Sequence, residues 1–153
     1  MNLGLVMPHN RSILISIRQK YVASIINGVK TAEIRRLFPS NPSVTKVYVY
    51  VPTPKKHIVG YFDISKIVRL PTSELWSFAG RQSALSSKEF FDYLSGKDVG
   101  VSIHFNKFWP LSKQVTLAEI RAHFPSFHPP QSFIYVSVDM EKLFGASDSF
   151  PRV

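Results

Sequence analysis

Six stretches of this chain alternate apolar and polar residues at a period of two, and no other feature restricts the fold as much. In SILISIR, 12–18, Ile13, Ile15 and Ile17 fall on one side, with Ser12, Leu14, Ser16 and Arg18 on the other, as in a strand with one buried face. Runs 30–36, 45–51, 58–69, 100–108 and 132–138 read in the same way, and Gly60 inside the fourth marks a bulge or a close backbone approach. From Gln19 the period changes. Val22, Ile25 and Ile26 recur at helical spacing, and Asn27-Gly28 supplies a left-handed stop. Further helical patterns occupy 72–79, with Thr72 as cap, then 86–95 behind the capping box Ser86/Glu89, and 116–124 behind Thr116/Glu119. PSNPS at 39–43 and PTPKKH at 52–57 punctuate the runs as turns. The expectation is an α+β fold: a mixed, mainly antiparallel sheet curled into a small β-barrel and flanked by short helices.

A chain of 153 residues with 44% hydrophobic content fills one ordinary core, so a single domain over 12–144 is expected, with a lead-in at 1–11 and a frayed tail at 145–153. No cysteine is present, which excludes disulfides and thiolate metal sites and suits a reducing compartment, with the cytoplasm as default. Pro8, His9 and Asn10 interrupt the brief apolar start, and no run approaches membrane-spanning length, so neither a leader nor a membrane partner is expected. The five histidines, His9, His57, His104, His123 and His128, include no helical metal-binding pair, and no phosphate loop or nucleophile elbow occurs. Neither a metal nor a cofactor is expected.

Charge narrows the partner. The net charge is +9, and eleven Lys/Arg against three acids lie in residues 1–76, while residues 77–153 hold eight against seven. A positive field confined to the first half favours an anionic partner, nucleic acid above all.

Within that half, GVKTAEIRR at 28–36 gathers Lys30, Glu33, Arg35 and Arg36 directly after a helix stop. Glu33 and Arg35 share a strand face with Thr31, and Lys30 precedes them, so two cations can bracket one carboxylate and hold it ionised. If strand 12–18 lies beside strand 30–36, Ser16, Arg18 and Lys20 join the same patch. The result is a basic cleft with one acceptor, suited to a phosphate plus the edge of a base. A surface ladder of ion pairs, worth little energetically, is the plainer reading of the same residues.

Taken with ILISIRQKYVASIING, VYVYVPTPKKHIVGYFDI and PPQSFIYV, the motif G-x-K-x-x-E-x-R formed by Gly28, Lys30, Glu33 and Arg35 resembles the ASCH domain, a branch of the PUA-like superfamily of small β-barrels, over about residues 12–138. That resemblance implies a connection to RNA and modified nucleobases, in a family that includes binding modules, proposed ribonucleases and an amidohydrolase acting on acetylated cytidine. It also places PPQSF near the cleft, which makes Ser132 a further site candidate and Tyr135 another. Tyr48, Tyr50, Tyr61 and Phe62 stand beside Lys46, Lys55 and Lys56, a mixture that either stacks bases or fills a core.

Two functions are open. In the first, Arg18, Lys20, Lys30, Arg35 and Arg36 hold the phosphates of RNA or of a modified nucleotide while Glu33 reads a base donor. In the second, the chain is a small hydrolase in which Lys30 and Glu33 are the catalytic pair. In the amidohydrolase branch the motif lysine works with a threonine, where this chain has Glu33, and with a glutamate near a helix that here starts around Ser86, where RQSALSS holds no carboxylate. Binding is the leading expectation.

Overall fold

All six alternating runs contain a strand in the structure, a computed structural model that describes residues 10–146. Most of the expected lead-in and tail therefore lies outside the described residues. The elements run β1 (Arg11–Ser16), α1 (Gln19–Ile26), β2 (Ala32–Arg35), β3 (Val44–Val51), β4 (His57–Pro71), α2 (Thr72–Ser83), α3 (Ser87–Tyr93), β5 (Val99–Thr116), α4 (Leu117–His123), β6 (Ile134–Tyr135) and α5 (Val138–Ala146). No helix among the described residues is long and apolar enough to cross a membrane.

The strands form one sheet in the order β2-β5-β4-β3-β1-β6, in which β1 and β3 are the parallel pair and the remaining neighbours are antiparallel. The mixed, mainly antiparallel α+β class is as expected; the barrel is looser than expected. No backbone ladder joins β2 to β6 or β1, so β2 stands at one edge and the β1–β6 pair at the other.

Alternation sorts the strand side chains into separate cores. On β1, Ile13 and Ile15 pack with Val47, Val49, Val51, Phe62, Ile103 and Phe105, while Leu14 packs on the opposite side with Tyr48, Tyr61, Leu111 and Phe144. The strand is thus buried on both faces rather than one, because α4 and α5 cover the second side. That cover also explains α5, which the alternating pattern up to residue 138 does not announce: Phe144 is fully buried, its ring 5.1 Å from that of Tyr48. A third core joins Ile34 of β2 to Leu75 and Ala79 of α2, Phe90 of α3 and Leu94, which caps α3.

Local signals behave as their chemistry requires. Both capping boxes are formed, Ser86 with Glu89 and Thr116 with Glu119. Thr72 does not cap α2; Pro71 holds the cap position in extended geometry, and the Thr72 N–H already bonds the Asp98 carbonyl. Gly60 sits at a register slip in β4, where a Cβ would come within 2.4 Å of the Trp109 carbonyl oxygen. Only glycine allows β5 to approach there.

Candidate functional site

The motif segment is aimed by a turn. Gly28 adopts φ +83°, the Asn27 side chain accepts the Val29 N–H, and the Lys30 N–H returns to the Ser24 carbonyl, so the chain reverses off α1 and directs Lys30 inward before β2 begins. Lys30 Nζ donates to the Ser83 carbonyl at 2.8 Å and lies 3.3 Å from Glu33 Oε1. Ser83 is the last residue of α2, where unpaired carbonyls concentrate negative charge, so the ammonium caps that helix while pairing with the carboxylate. The Tyr21 ring centroid is 5.6 Å from the same nitrogen.

Glu33 Oε2 receives Arg35 Nη1 at 2.9 Å. Lys30 is 2% exposed, and Glu33 and Arg35 are each 7% exposed. The polar side of β2 is therefore no solvated ladder: the plainer reading of these residues as surface ion pairs gives way to a buried cluster in which two cations bracket one carboxylate. Such charges persist inside a fold only when partnered, and among the described residues no buried side-chain nitrogen or oxygen lacks a hydrogen-bond partner.

Arg35 does more than neutralise Glu33. Its Nη1 also reaches the Ser16 carbonyl at 3.3 Å, and its Nη2 the Ser132 carbonyl at 2.9 Å. One guanidinium thus links β2 to the end of β1 and to the segment leading into β6, across the place where the sheet fails to close. Strands 12–18 and 30–36 share no backbone ladder, since β1 pairs with β3 and β6, but Ser16 and the motif still meet through this bridge.

A cleft of about 630 Å³ opens at this seam. Lys30, Glu33 and Arg35 line it, Ser16, Arg18 and Lys20 contribute from β1 and the start of α1, and Tyr21, Glu89, Asp92 and Tyr93 face them from α1 and α3. At the mouth, Glu89 accepts hydrogen bonds from Lys20 Nζ and Tyr21 Oη, both at 2.9 Å. The Glu89 carboxyl is pushed down to about 2 by the Ser86 N–H it caps, reinforced by the Lys20 ammonium and the Tyr21 hydroxyl. Burial, and then Glu89, push the Tyr21 hydroxyl up, which keeps it a donor. Lys20 is pushed up by the same carboxylate.

Of the sequence-predicted residues, Ser16, Arg18, Lys20, Lys30, Glu33 and Arg35 come together. The others do not. Arg36 projects to the opposite side of β2, where its Nη1 donates to the Tyr93 and Ser95 carbonyls at 2.8 Å and closes the end of α3. Ser132 meets Arg35 through its main-chain carbonyl, and its neighbour Gln131 lines the cleft instead. Tyr135 lies under the Arg11 guanidinium, 4.0 Å from its ring centroid, away from the cleft. Tyr48, Tyr50, Tyr61 and Phe62 are core residues, which settles the choice between stacking platform and core.

Sequence reasoning missed Tyr21, Glu89, Asp92 and Tyr93, and of the two polar residues in PPQSF it preferred Ser132 to Gln131. A signal existed for α3: Glu89, Asp92 and Tyr93 are three and four residues apart and share a helix face. Its capping role masked Glu89, and the lone carboxylate expected in the patch is in fact joined by two more.

Comparison with known proteins adds four findings. The ASCH domain family matches residues 15–108. An ASCH domain-containing ribonuclease from Zymomonas mobilis is 26% identical over 130 residues, which span 85% of this chain and 87% of that protein. The crystal structure of ASCH from Zymomonas mobilis superposes with a TM-score of 0.82 at 25% identity, covering 90% of this chain and 95% of the other. At the level of fold alone, the N-terminal domain of Staphylothermus marinus McrB matches with a TM-score of 0.56 at 8% identity, over 91% of this chain and 95% of that one.

Proposed function

The chain belongs to the ASCH domain family, and from that premise we propose that its single domain binds RNA, or a nucleotide derived from it, in the cleft at the sheet seam. The observation that carries the reading is the buried Lys30–Glu33–Arg35 cluster at the base of a cleft rimmed by Arg18 and Lys20. Fixed charges there act in a medium that screens them poorly, whereas the rim cations face solvent and suit phosphates. A relative named as a ribonuclease supports RNA as the class of ligand.

The roles divide by commitment. Arg35 donates to one carboxylate and two carbonyls, so it frames the cleft. Arg18 and Lys20 are the phosphate contacts of this reading. Lys30 and Glu33 face the deepest group of the ligand, with Glu33 accepting from a base donor, and Tyr21 and Tyr93 supply ring surface for stacking.

One observation favours a second reading. Lys30 and Glu33 stand 3.3 Å apart in the same cleft as a potential base and cation. In RNA cleavage, Glu33 would take the proton of a ribose 2′-hydroxyl as that oxygen attacks the adjacent phosphorus, and Lys30 would stabilise the added negative charge. The 5′-oxygen then leaves, taking back the proton held by Glu33, and the products are a 2′,3′-cyclic phosphate and a 5′-hydroxyl end.

Titration of labelled single-stranded RNA at increasing salt tests the proposal. Affinity should fall linearly in log–log form, and Arg18→Glu with Lys20→Glu should weaken it. Reversing Lys55 and Lys56 should lower affinity without altering preference among sequences. Absence of binding at low ionic strength, or indifference to the Arg18 and Lys20 reversals, overturns the cleft as an RNA site. Analysis of product ends in the same incubations reports any cleavage.

A further inference from the structure

The segment between α4 and β6 contains no regular structure, yet side chains from three separate elements hold its backbone. Arg121 Nε of α4 donates to the Phe127 carbonyl at 3.1 Å, Ser16 Oγ of β1 to the Pro130 carbonyl at 2.8 Å, and Arg35 Nη2 of β2 to the Ser132 carbonyl at 2.9 Å. Pro129 and Pro130 stiffen the same stretch by fixing their own φ. The last two bonds grip the residues immediately before and after Gln131. Its Cα is therefore located as firmly as a strand would locate it, while its side chain is exposed on the cleft wall.

The other polar groups of the cleft are largely committed to one another: Lys30 and Arg35 to Glu33, Lys20 and Tyr21 to Glu89, and Asp92 to Lys88. A primary amide differs in kind. It offers a donor and an acceptor side by side in one plane, the pairing that matches the edge of a nucleobase. We infer that Gln131 is the specificity-determining residue of this cleft, reading the hydrogen-bonding edge of a bound base, and that the segment 127–132 serves to hold it in place. The inference rests on the cleft being a nucleotide site, as proposed above. The same cleft is lined by the carboxylates of Glu33, Glu89 and Asp92, which add acceptors to the amide, so the base it selects carries an exocyclic amine, as adenine, cytosine and guanine do and uracil does not.

The test is equilibrium binding of fluorescein-labelled decamers of adenosine, cytidine and uridine to the full chain and to two variants, Gln131→Ala and Ser132→Ala. The wild-type protein should favour the adenosine or cytidine decamer over uridine by about 10-fold, the discrimination expected of one two-point base contact. Gln131→Ala, a change at an exposed position, should bring that ratio to about one while affinity for the uridine decamer stays within about 3-fold. Ser132→Ala should keep the wild-type ratio, because only its carbonyl is used. Retention of the ratio by Gln131→Ala, equal binding of all three decamers by the wild type, or loss of all binding in Gln131→Ala would each overturn the inference and leave the cleft reading standing. Failure of the wild type to bind any decamer would overturn both.

Discussion

Glu33 and Glu89 occupy the same cleft, each a carboxylate paired with a lysine and at least one further donor. Glu33 lies between Lys30 and Arg35 with its side chain 9% exposed; Glu89 lies between Lys20 and Tyr21 with its side chain 32% exposed, and its Lys20 is 68% exposed. The lower cluster has lost its water and depends on every partner being present. The upper one is screened and adjustable. The same carboxylate–lysine pair therefore belongs to a structural element at the floor and to a contact surface at the mouth, and burial is the main difference between them.

Lys30→Ala should have the largest effect. It removes the Ser83 contact and leaves a buried carboxylate with half its neutralisation, so stability should fall by about 3–5 kcal/mol, read from urea unfolding. A loss near zero would mean that the floor cluster is no more than the surface ladder suggested by the bare sequence. Glu33→Gln keeps the shape and an acceptor but removes the charge between two buried cations; a loss of about 1–3 kcal/mol is expected by the same measurement.

Arg35→Lys retains the positive charge but cannot span Glu33, Ser16 and Ser132 from one nitrogen. Amide hydrogen exchange should accelerate in 127–136 more than in β3. Uniform acceleration would show that the guanidinium supports the whole fold rather than the seam.

The mouth cluster should respond to acid instead. The Glu89 carboxyl titrates near 2, below its ordinary 4.5, so its contribution is complete above about 4.5 and is lost as pH falls toward 2. Carbon-13 chemical shifts of the Glu89 side chain should report that low midpoint, and Lys20→Ala should raise it. Lys20→Ala should have the smallest effect on folding, with an unfolding midpoint indistinguishable from wild type, yet it should lower the salt slope of RNA binding. A folding defect in Lys20→Ala comparable to that of Lys30→Ala would erase the distinction between floor and mouth.

Much of this arrangement is legible in the sequence. Period-two alternation locates all six strands, the two capping boxes start α3 and α4, and Gly60 marks the point where β5 presses on β4. The same period already separates Arg36 from Glu33 and Arg35, because neighbouring strand residues point to opposite faces. Alternation does not tell whether a polar face meets solvent or another edge of the sheet, and so the burial of Lys30 and Glu33 had to come from the tertiary structure. The choice of Gln131 over Ser132 was hidden for a related reason. The position of Gln131 follows from bonds made by Arg35 and Ser16, residues 96 and 115 positions away, and no local pattern encodes such distances.

A β-sheet that stops short of closure leaves two borders at which a foreign strand could add, and that exposes many proteins to aggregation. Here both borders are stunted: β2 offers four residues and β6 two, and the space between them is occupied by a guanidinium and a proline-stiffened loop. Neither of these two terminal strands is long enough to template a growing ribbon. The seam can therefore stay open while offering only two short strands to a neighbour, and its width is set by the reach of one arginine side chain.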